Sequence, residues 1–195
     1  MTTSTRTPVA AALTLVDRSL RERFGCKGPH AERWLASTGF EPPAGINRWH
    51  ESPSGALIAR LATSEFLVEG PGLDDASVVD ARSRLEQPGR GAGVYPVVRQ
   101  DLVVELSGLG LVDCLRQVCN VDFRPVIAAT DASGGLVILT SMIGVPVVAL
   151  VRSAGHAPGL VLWIDPSYTH YFWTTMREVA EDCGGASVSA RREES

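Results

Sequence analysis

Two stretches, FGCKGPHAERWL at Phe24–Leu35 and VELSGLGLVDCL at Val104–Leu115, decide how the rest of the chain is read. Set one above the other, they place the same residue types at the same steps. Phe24 and Cys26 match Val104 and Leu106 as alternate residues of a strand. Gly28 matches Gly108 at a strand-to-helix bend, and Ala31 and Leu35 match Leu111 and Leu115 on one helix face. Each copy is followed by a pair of short apolar strands, within residues 56–69 and 136–152. A unit of strand, glycine bend, helix and hairpin used twice leaves each half with an apolar face that the other covers.

The pairing also bears on whether FGCKGPHAERWL is a reactive site. A lysine beside glycines at a helix start suggests an anion cradle. However, Gly25, Lys27 and Gly28 fit neither the G-x-x-x-x-G-K-[ST] nor the G-x-G-x-x-G spacing. The second copy keeps the glycine and loses both cysteine and lysine, so the bend reads as scaffold. Cys26 aligns with Leu106 and reads as core. Lys27 points to the opposite face, where it and His30 are left at the rim for solvent or a partner.

Outward from the two copies, LTLV (13–16) and RFGC (23–26) read as strands that precede the first helix, and ALIARL (56–61) and EFLVE (65–69) read as a hairpin. DLVVEL (101–106), LVILTSMI (136–143), PVVALVR (146–152) and LVLWI (160–164) complete an α+β pattern rather than a βαβα alternation. The first helix is expected from Gly28-Pro29 to Gly39, with proline at its first position. The second is expected over about 108–119 and a weaker one over 74–87. A third is expected from the Asp165-Pro166 cap through SYTHYFWTTMREVAEDC, burying Tyr168, Phe172, Met176 and Val179. The expected organisation is a single domain over 11–185. It has halves at about 12–70 and 95–155, a C-terminal strand and helix at 160–184, and flexible tails at 1–10 and 186–195.

Tyr171 and Trp173 exceed what one buried stripe of that helix needs. Trp49, in INRWHESPSG, reads as a loop residue; exposed aromatics of this kind serve protein–protein contacts. The chain has 195 residues, a formal charge of −4 and a charged fraction of 21%. No dense basic surface points to nucleic acid. The apolar runs are too short or too interrupted to span a bilayer, and the N-terminus lacks a secretory signal, so the expected location is cytoplasmic. The four cysteines, at 26, 114, 119 and 183, form no metal-binding spacing and read as packing. His50, His156 and His170 have no partners for a triad or metal site, and Asp74-Asp75 and Glu181-Asp182 read as solvated helix-end charges.

Taken in order, LVDRSLRERFGCKGPHAERWLASTGFEPP, SGALIARLATSEFLVEG, VVRQDLVVELSGLGLVDCLRQVCNVDF and GLVLWIDPSYTHYFWTTMREVAEDCGG resemble the gamma subunit of heterotetrameric sarcosine oxidase across roughly residues 12–185. That family is in turn similar to the folate-binding aminomethyltransferase of glycine cleavage. The resemblance implies an α+β fold of duplicated strand–helix–hairpin units and an oxidoreductase complex that oxidatively demethylates sarcosine. FAD, FMN, NAD, tetrahydrofolate and zinc would reside in the other subunits. The implied partners are the alpha, beta and delta subunits, chiefly the large folate-binding alpha subunit. Ser54-Gly55 stands where the transferases carry a catalytic carboxylate pair, and EGPGLDD replaces their asparagine-rich segment, so no catalytic, cofactor or metal residue is carried over. The expectation is a non-catalytic subunit whose partner-facing residues are Lys27, His30, Trp49, Tyr171 and Trp173. The alternatives are a stand-alone folate-binding aminomethyltransferase-like protein, a subunit of a related N-methyl amine oxidase or dehydrogenase, and an unrelated homodimeric binding module.

Overall fold

The computed structural model describes residues 13–89, 91–130, 134–154 and 157–188. Strands β1 (Thr14–Asp17) and β2 (Arg23–Lys27) lead into helix α1 (Ala31–Ser37). Strands β3 (Arg48–Glu51), β4 (Leu57–Ala62) and β5 (Glu65–Glu69) precede α2 (Ala76–Glu86). Next come β6 (Tyr95–Val97), β7 (Leu102–Ser107), α3 (Leu111–Val118) and α4 (Arg124–Ala128). Strands β8 (Gly134–Met142), β9 (Val145–Ala154) and β10 (Ala157–Ile164) follow, then α5 (Thr169–Asp182) and β11 (Ala186–Val188).

Among the described residues the strands join in one sheet ordered β11-β1-β7-β10-β9-β8-β3-β4-β5-β2-β6. Among the described strands only β1 and β11 pair in parallel. The sheet curls back on itself: the indole of Trp163 in β10 donates to Glu69 in β5, five places away in that order. Curling creates three apolar layers, and strand alternation distributes side chains among them. In β4, Leu57, Ala59 and Leu61 face inward, joining Trp49, Leu67, Val103, Leu150, Val161 and Trp163. Ile58 faces outward with Phe24, Cys26, Phe66 and Val68 toward α1 and α2. Across the sheet, Val104, Leu160 and Leu162 face α3 and α5, where Leu111, Cys114, Leu115, Phe172 and Met176 are buried. Each large side chain so enclosed contributes roughly 1.5–3 kcal/mol.

The glycine bends have a physical cause. Gly28 sits at φ 124° and Gly108 at φ 130°, outside the range ordinary side chains adopt. A Cβ on Gly28 would stand 2.3 Å from the carbonyl oxygen of Gly93. This conformation also delays α1, which begins at Ala31 rather than at Gly28-Pro29. The β8–β9 turn, Ile143-Gly144, has positive φ at both residues, as a two-residue hairpin loop requires.

Four expectations change. Trp49 lies in strand β3 and is 3% exposed, because β3 fills the gap between β4 and β8 and its alternation turns the indole inward. Tyr168 is 41% exposed: Pro166–Tyr168 forms a 3₁₀ turn whose three-residue period rotates it away from the face shared by Phe172 and Met176. The expected C-terminal tail starts later, since 186–188 pair with Thr14–Val16. Strands β3 and β6 and helix α4, of four, three and five residues, are too short for a period to stand out from the sequence.

Candidate functional site: a salt-linked seam and its arginine furrow

The strongest concentration of buried charge lies where the curled sheet closes. Arg23, at the start of β2, is 5% exposed and Glu69, ending β5, is 1% exposed. Antiparallel register makes them direct partners. Arg23 Nε donates to Glu69 Oε2 at 3.2 Å, Trp163 Nε1 donates to the same oxygen at 2.8 Å, and Arg21 Nη1 approaches Oε1 at 3.7 Å. The other Arg23 nitrogens donate to the carbonyls of Arg18, Ser19 and Asp101 at 3.0–3.1 Å. One guanidinium therefore ties the β1–β2 connection and the start of β7 to β5. Burial pushes the Glu69 carboxyl above its ordinary range, with Arg23, Trp163 and Arg21 pulling against that shift. Burial likewise lowers Arg21.

Beside this cluster open two hollows of about 320 and 380 Å³ that share Arg23, Arg82, Arg99 and Gln100. Arg82 of α2 pairs with Glu22. Arg99 pairs with Glu65 at 3.2 Å and with Asp101 at 3.8 Å. It lies flat over Gly25, where a Cβ would come within 2.9 Å of its Nε. Burial also raises the Asp101 carboxyl, against the pull of Arg99. Guanidinium groups stay protonated, so Arg23, Arg82 and Arg99 bring charge and geometry to the furrow, and the carboxylates that line it beside them are Glu22, Glu86 and Asp101. A second buried arginine, Arg60 in β4, grips Glu32 of α1 with two nitrogens at 3.1 and 3.0 Å and stacks over Phe66 at 5.3 Å. Its role is to fasten α1 to the sheet.

The sequence-derived interface residues fall on separate elements. Lys27 ends β2, exposed, opposite Tyr95 of the edge strand β6, and Tyr95 is 51% exposed. His30 caps α1 beside it, its Nδ1 donating to the Ala92 carbonyl at 2.8 Å. Lys27, His30 and Tyr95 thus share one rim. Tyr171 and Trp173 lie on α5, which packs on the other layer. Trp173 is partly buried there, and Tyr171, although 51% exposed, donates its hydroxyl to the Ile143 carbonyl at 3.1 Å. Trp49 belongs to neither group, being enclosed in the inner core. Cys26 is fully buried, and its thiol is pushed up to about 12 chiefly by burial, with Glu65 adding to it, which removes it as a nucleophile. His156 lies outside the described residues.

The fold is that of a sarcosine oxidase chain. A chain of the heterotetrameric sarcosine oxidase from Corynebacterium sp. U-96, in complex with pyrrole 2-carboxylate, superposes with TM-score 0.66 and 21% identity, over 92% of this chain and 90% of that one. The glycine cleavage aminomethyltransferase T of Bartonella henselae superposes with TM-score 0.59 and 13% identity. That match covers 92% of this chain and 48% of the transferase, so the chain spans about half of that enzyme. No protein-family model matches the sequence, and no curated protein sequence matches it significantly.

The buried carboxylate of Glu69 has its oxygens engaged by Arg23, Trp163 and Arg21 and is closed to a ligand. Ser54-Gly55 forms a tight turn ahead of β4, with the Gly55 N–H on the Ser52 carbonyl at 2.9 Å. Among the described residues no group of three or more His, Cys, Asp and Glu side chains is placed to hold a metal ion. Nor is any helix among them long and apolar enough to cross a membrane. Sequence reading missed Arg23, Arg60, Glu69 and Trp163. The available signal was charge at core-facing positions of otherwise apolar strands, as in RFGCK, LIARLA and EFLVE.

Proposed function

We propose that this chain is the non-catalytic gamma subunit of a heterotetrameric sarcosine oxidase. It supports assembly of a flavin- and folate-dependent complex that oxidatively demethylates sarcosine. The observation that carries the reading is the near end-to-end match in both directions with one chain of such an oxidase, set against a match to half of the aminomethyltransferase. Support also comes from the buried charges, which are committed to holding strands together rather than left facing a substrate. In this reading FAD, FMN, NAD, tetrahydrofolate and zinc belong to the other subunits, and the large folate-binding alpha subunit is the principal partner. The protein works in the cytoplasm. Lys27 and His30 on one rim, and Tyr171 and Trp173 on α5, are its partner-facing residues.

The two glycine bends support a duplicated unit. Gly28 N–H donates to Ser64 at 2.9 Å and Gly108 N–H to Pro158 at 3.3 Å, while Ala31 and Leu111 each turn back to their glycine's carbonyl, at 3.0 and 3.2 Å. Half of a transferase, rebuilt from two such units, keeps the scaffold without the catalytic carboxylates.

The test is co-expression of this chain with the alpha, beta and delta subunits of such an oxidase. Leaving it out is expected to lower the yield of assembled, sarcosine-oxidising complex. A fully active and equally stable complex lacking this chain refutes the assignment. Tetrahydrofolate binding by the isolated chain in calorimetry would support a stand-alone transferase-like protein instead.

A further inference from the structure

One charged pair at the edge of the seam is left incomplete. Asp101, the residue ahead of β7, is largely buried, and its Oδ2 has no hydrogen-bond partner among the described residues. Arg99 Nε is buried without a partner in the same way. The two side chains do not satisfy each other. Arg99 Nη1 stands 3.8 Å from Asp101 Oδ1, beyond hydrogen-bond length, while its Nη2 turns to Glu65 at 3.2 Å. Arg23 reaches only the backbone carbonyl of Asp101, at 3.1 Å. Glu69, a few residues away in the same seam, has donors from both Arg23 and Trp163. A buried acceptor and a buried donor left open cost stability, and the fold gains nothing from them; a deficit of this kind is met by a group that arrives from outside.

Asp101, Arg99 and Arg82 all line the larger hollow, of about 380 Å³. Of its four guanidiniums Arg82 is the most exposed, and one of its nitrogens pairs with Glu22. Gln100 adds an exposed neutral amide to the wall. A simple anion there would meet Glu22 and Asp101, and a simple cation would meet Arg82 and Arg99. We propose that this hollow binds a small zwitterion, an α-amino acid, with its ammonium on the Asp101 carboxylate and its carboxylate on Arg82 and Arg99. The ammonium supplies the donors that Asp101 lacks, and the ligand carboxylate supplies an acceptor to the guanidiniums. A turn about the last torsion of Asp101, which is soft, presents the open oxygen to the hollow. Burial holds the Asp101 carboxyl above its ordinary range with Arg99 pulling against it, and a bound ammonium adds to that pull. The site belongs to this chain alone and stands apart from the oxidase assignment.

The experiment titrates the ¹⁵N-labelled full chain with alanine, with propionate, which lacks the ammonium, and with ethylamine, which lacks the carboxylate, following backbone amide shifts. Alanine should give saturable shifts at Arg82, Arg99, Gln100 and Asp101 with a dissociation constant on the order of millimolar, and the two controls should bind at least about tenfold more weakly. Asp101→Asn and Arg82→Gln should each weaken alanine binding about tenfold. Asp101→Asn should also raise the melting temperature of the ligand-free chain at neutral pH by roughly 2–4 °C, because a neutral amide escapes the burial penalty of an incompletely paired carboxylate. A carboxylate kept for structure would give the opposite sign, so a lower melting temperature for Asp101→Asn overturns the proposal. So do the absence of saturable shifts with alanine, which leaves water as the only occupant, equal binding of propionate, and unchanged alanine binding in either variant.

Discussion

Replacing Arg23 with methionine tests the seam that closes the sheet. The side chain is 4% exposed and makes one charge-assisted bond to Glu69 and three to backbone carbonyls. Methionine keeps much of the stem and removes every donor. Breaking a buried ion pair from one side costs about 3–5 kcal/mol, a large share of the roughly 5–15 kcal/mol that holds a domain folded. The pH dependence carries the sharper information. Glu69 already sits above its ordinary range because burial outweighs the attraction of Arg23 and Arg21. Removing Arg23 raises it further. A carboxyl raised in the folded state holds its proton where the unfolded chain has lost it. Its contribution is therefore complete below the unfolded value and is lost as pH rises through the folded one. Each unit of added shift is worth about 1.4 kcal/mol. Urea denaturation of wild type and Arg23→Met at pH 5 and pH 8 should show the larger deficit at pH 8. The double variant Arg23→Met/Glu69→Gln, whose neutral amide escapes the burial penalty, should recover stability at pH 8. A deficit below about 1 kcal/mol, or one that grows toward acid, refutes this account of the seam.

Other outcomes follow from separate features. Gly28→Ala should lose more than about 3 kcal/mol in urea titrations, because a strained φ is compounded by a 2.3 Å contact, whereas Gly39→Ala, strained with nothing within 4 Å, should lose only about 1 kcal/mol. Asp75 caps α2 by accepting from Val78 N–H at 3.0 Å, so Asp75→Ala should cost about 1 kcal/mol at neutral pH. The Ser77 hydroxyl, then the backbone N–H groups of Val78 and Ser77, hold that carboxyl below its ordinary value. The Asp75→Ala deficit should accordingly shrink as acid protonates the cap, which thermal melts at falling pH can follow. Tyr171→Phe should destabilise the isolated chain by about 1 kcal/mol through loss of the bond to Ile143; an unchanged melting temperature would leave Tyr171 to the interface alone.

Short apolar stretches made β1, β2, β4, β5, β7, β8, β9 and β10 legible, and the glycine bends with their helix faces placed α1 and α3. The three-layer arrangement was not legible, because curling is a property of the whole sheet and no local period records it. Trp49 illustrates the loss. Its neighbours Arg48, His50 and Glu51 are polar and its strand is four residues long, so the sequence around it has the composition of a loop. Only the pairing of Arg48 with Leu136 and Arg60, on strands far apart in the chain, makes it an inner-core position. Tyr168 failed for the opposite reason: its spacing to Phe172 was right for an α-helix, but a 3₁₀ turn occupies that stretch.

The buried charges explain why a site could not be read from residue types alone. Arg23, Arg60 and Glu69 have the chemistry of a substrate clamp, yet Arg23 is divided between a carboxylate and three carbonyls, and Arg60 between Glu32 and the carbonyls of Pro43 and Thr63. An enzyme site needs groups whose partner arrives with the substrate, and these have theirs already. Much of the inner face of a curled sheet lies far from water, so a charge there is tolerated only when its partner sits on another strand. Such contacts fix which strands meet: Arg23–Glu69 joins β2 to β5, and Trp163–Glu69 joins β5 to β10. The second reaches across strands that are not neighbours in the sheet. The charges that look most like chemistry are therefore the ones that specify the curl, and the exposed Lys27 and Tyr95 at the bend rim lie outside that network.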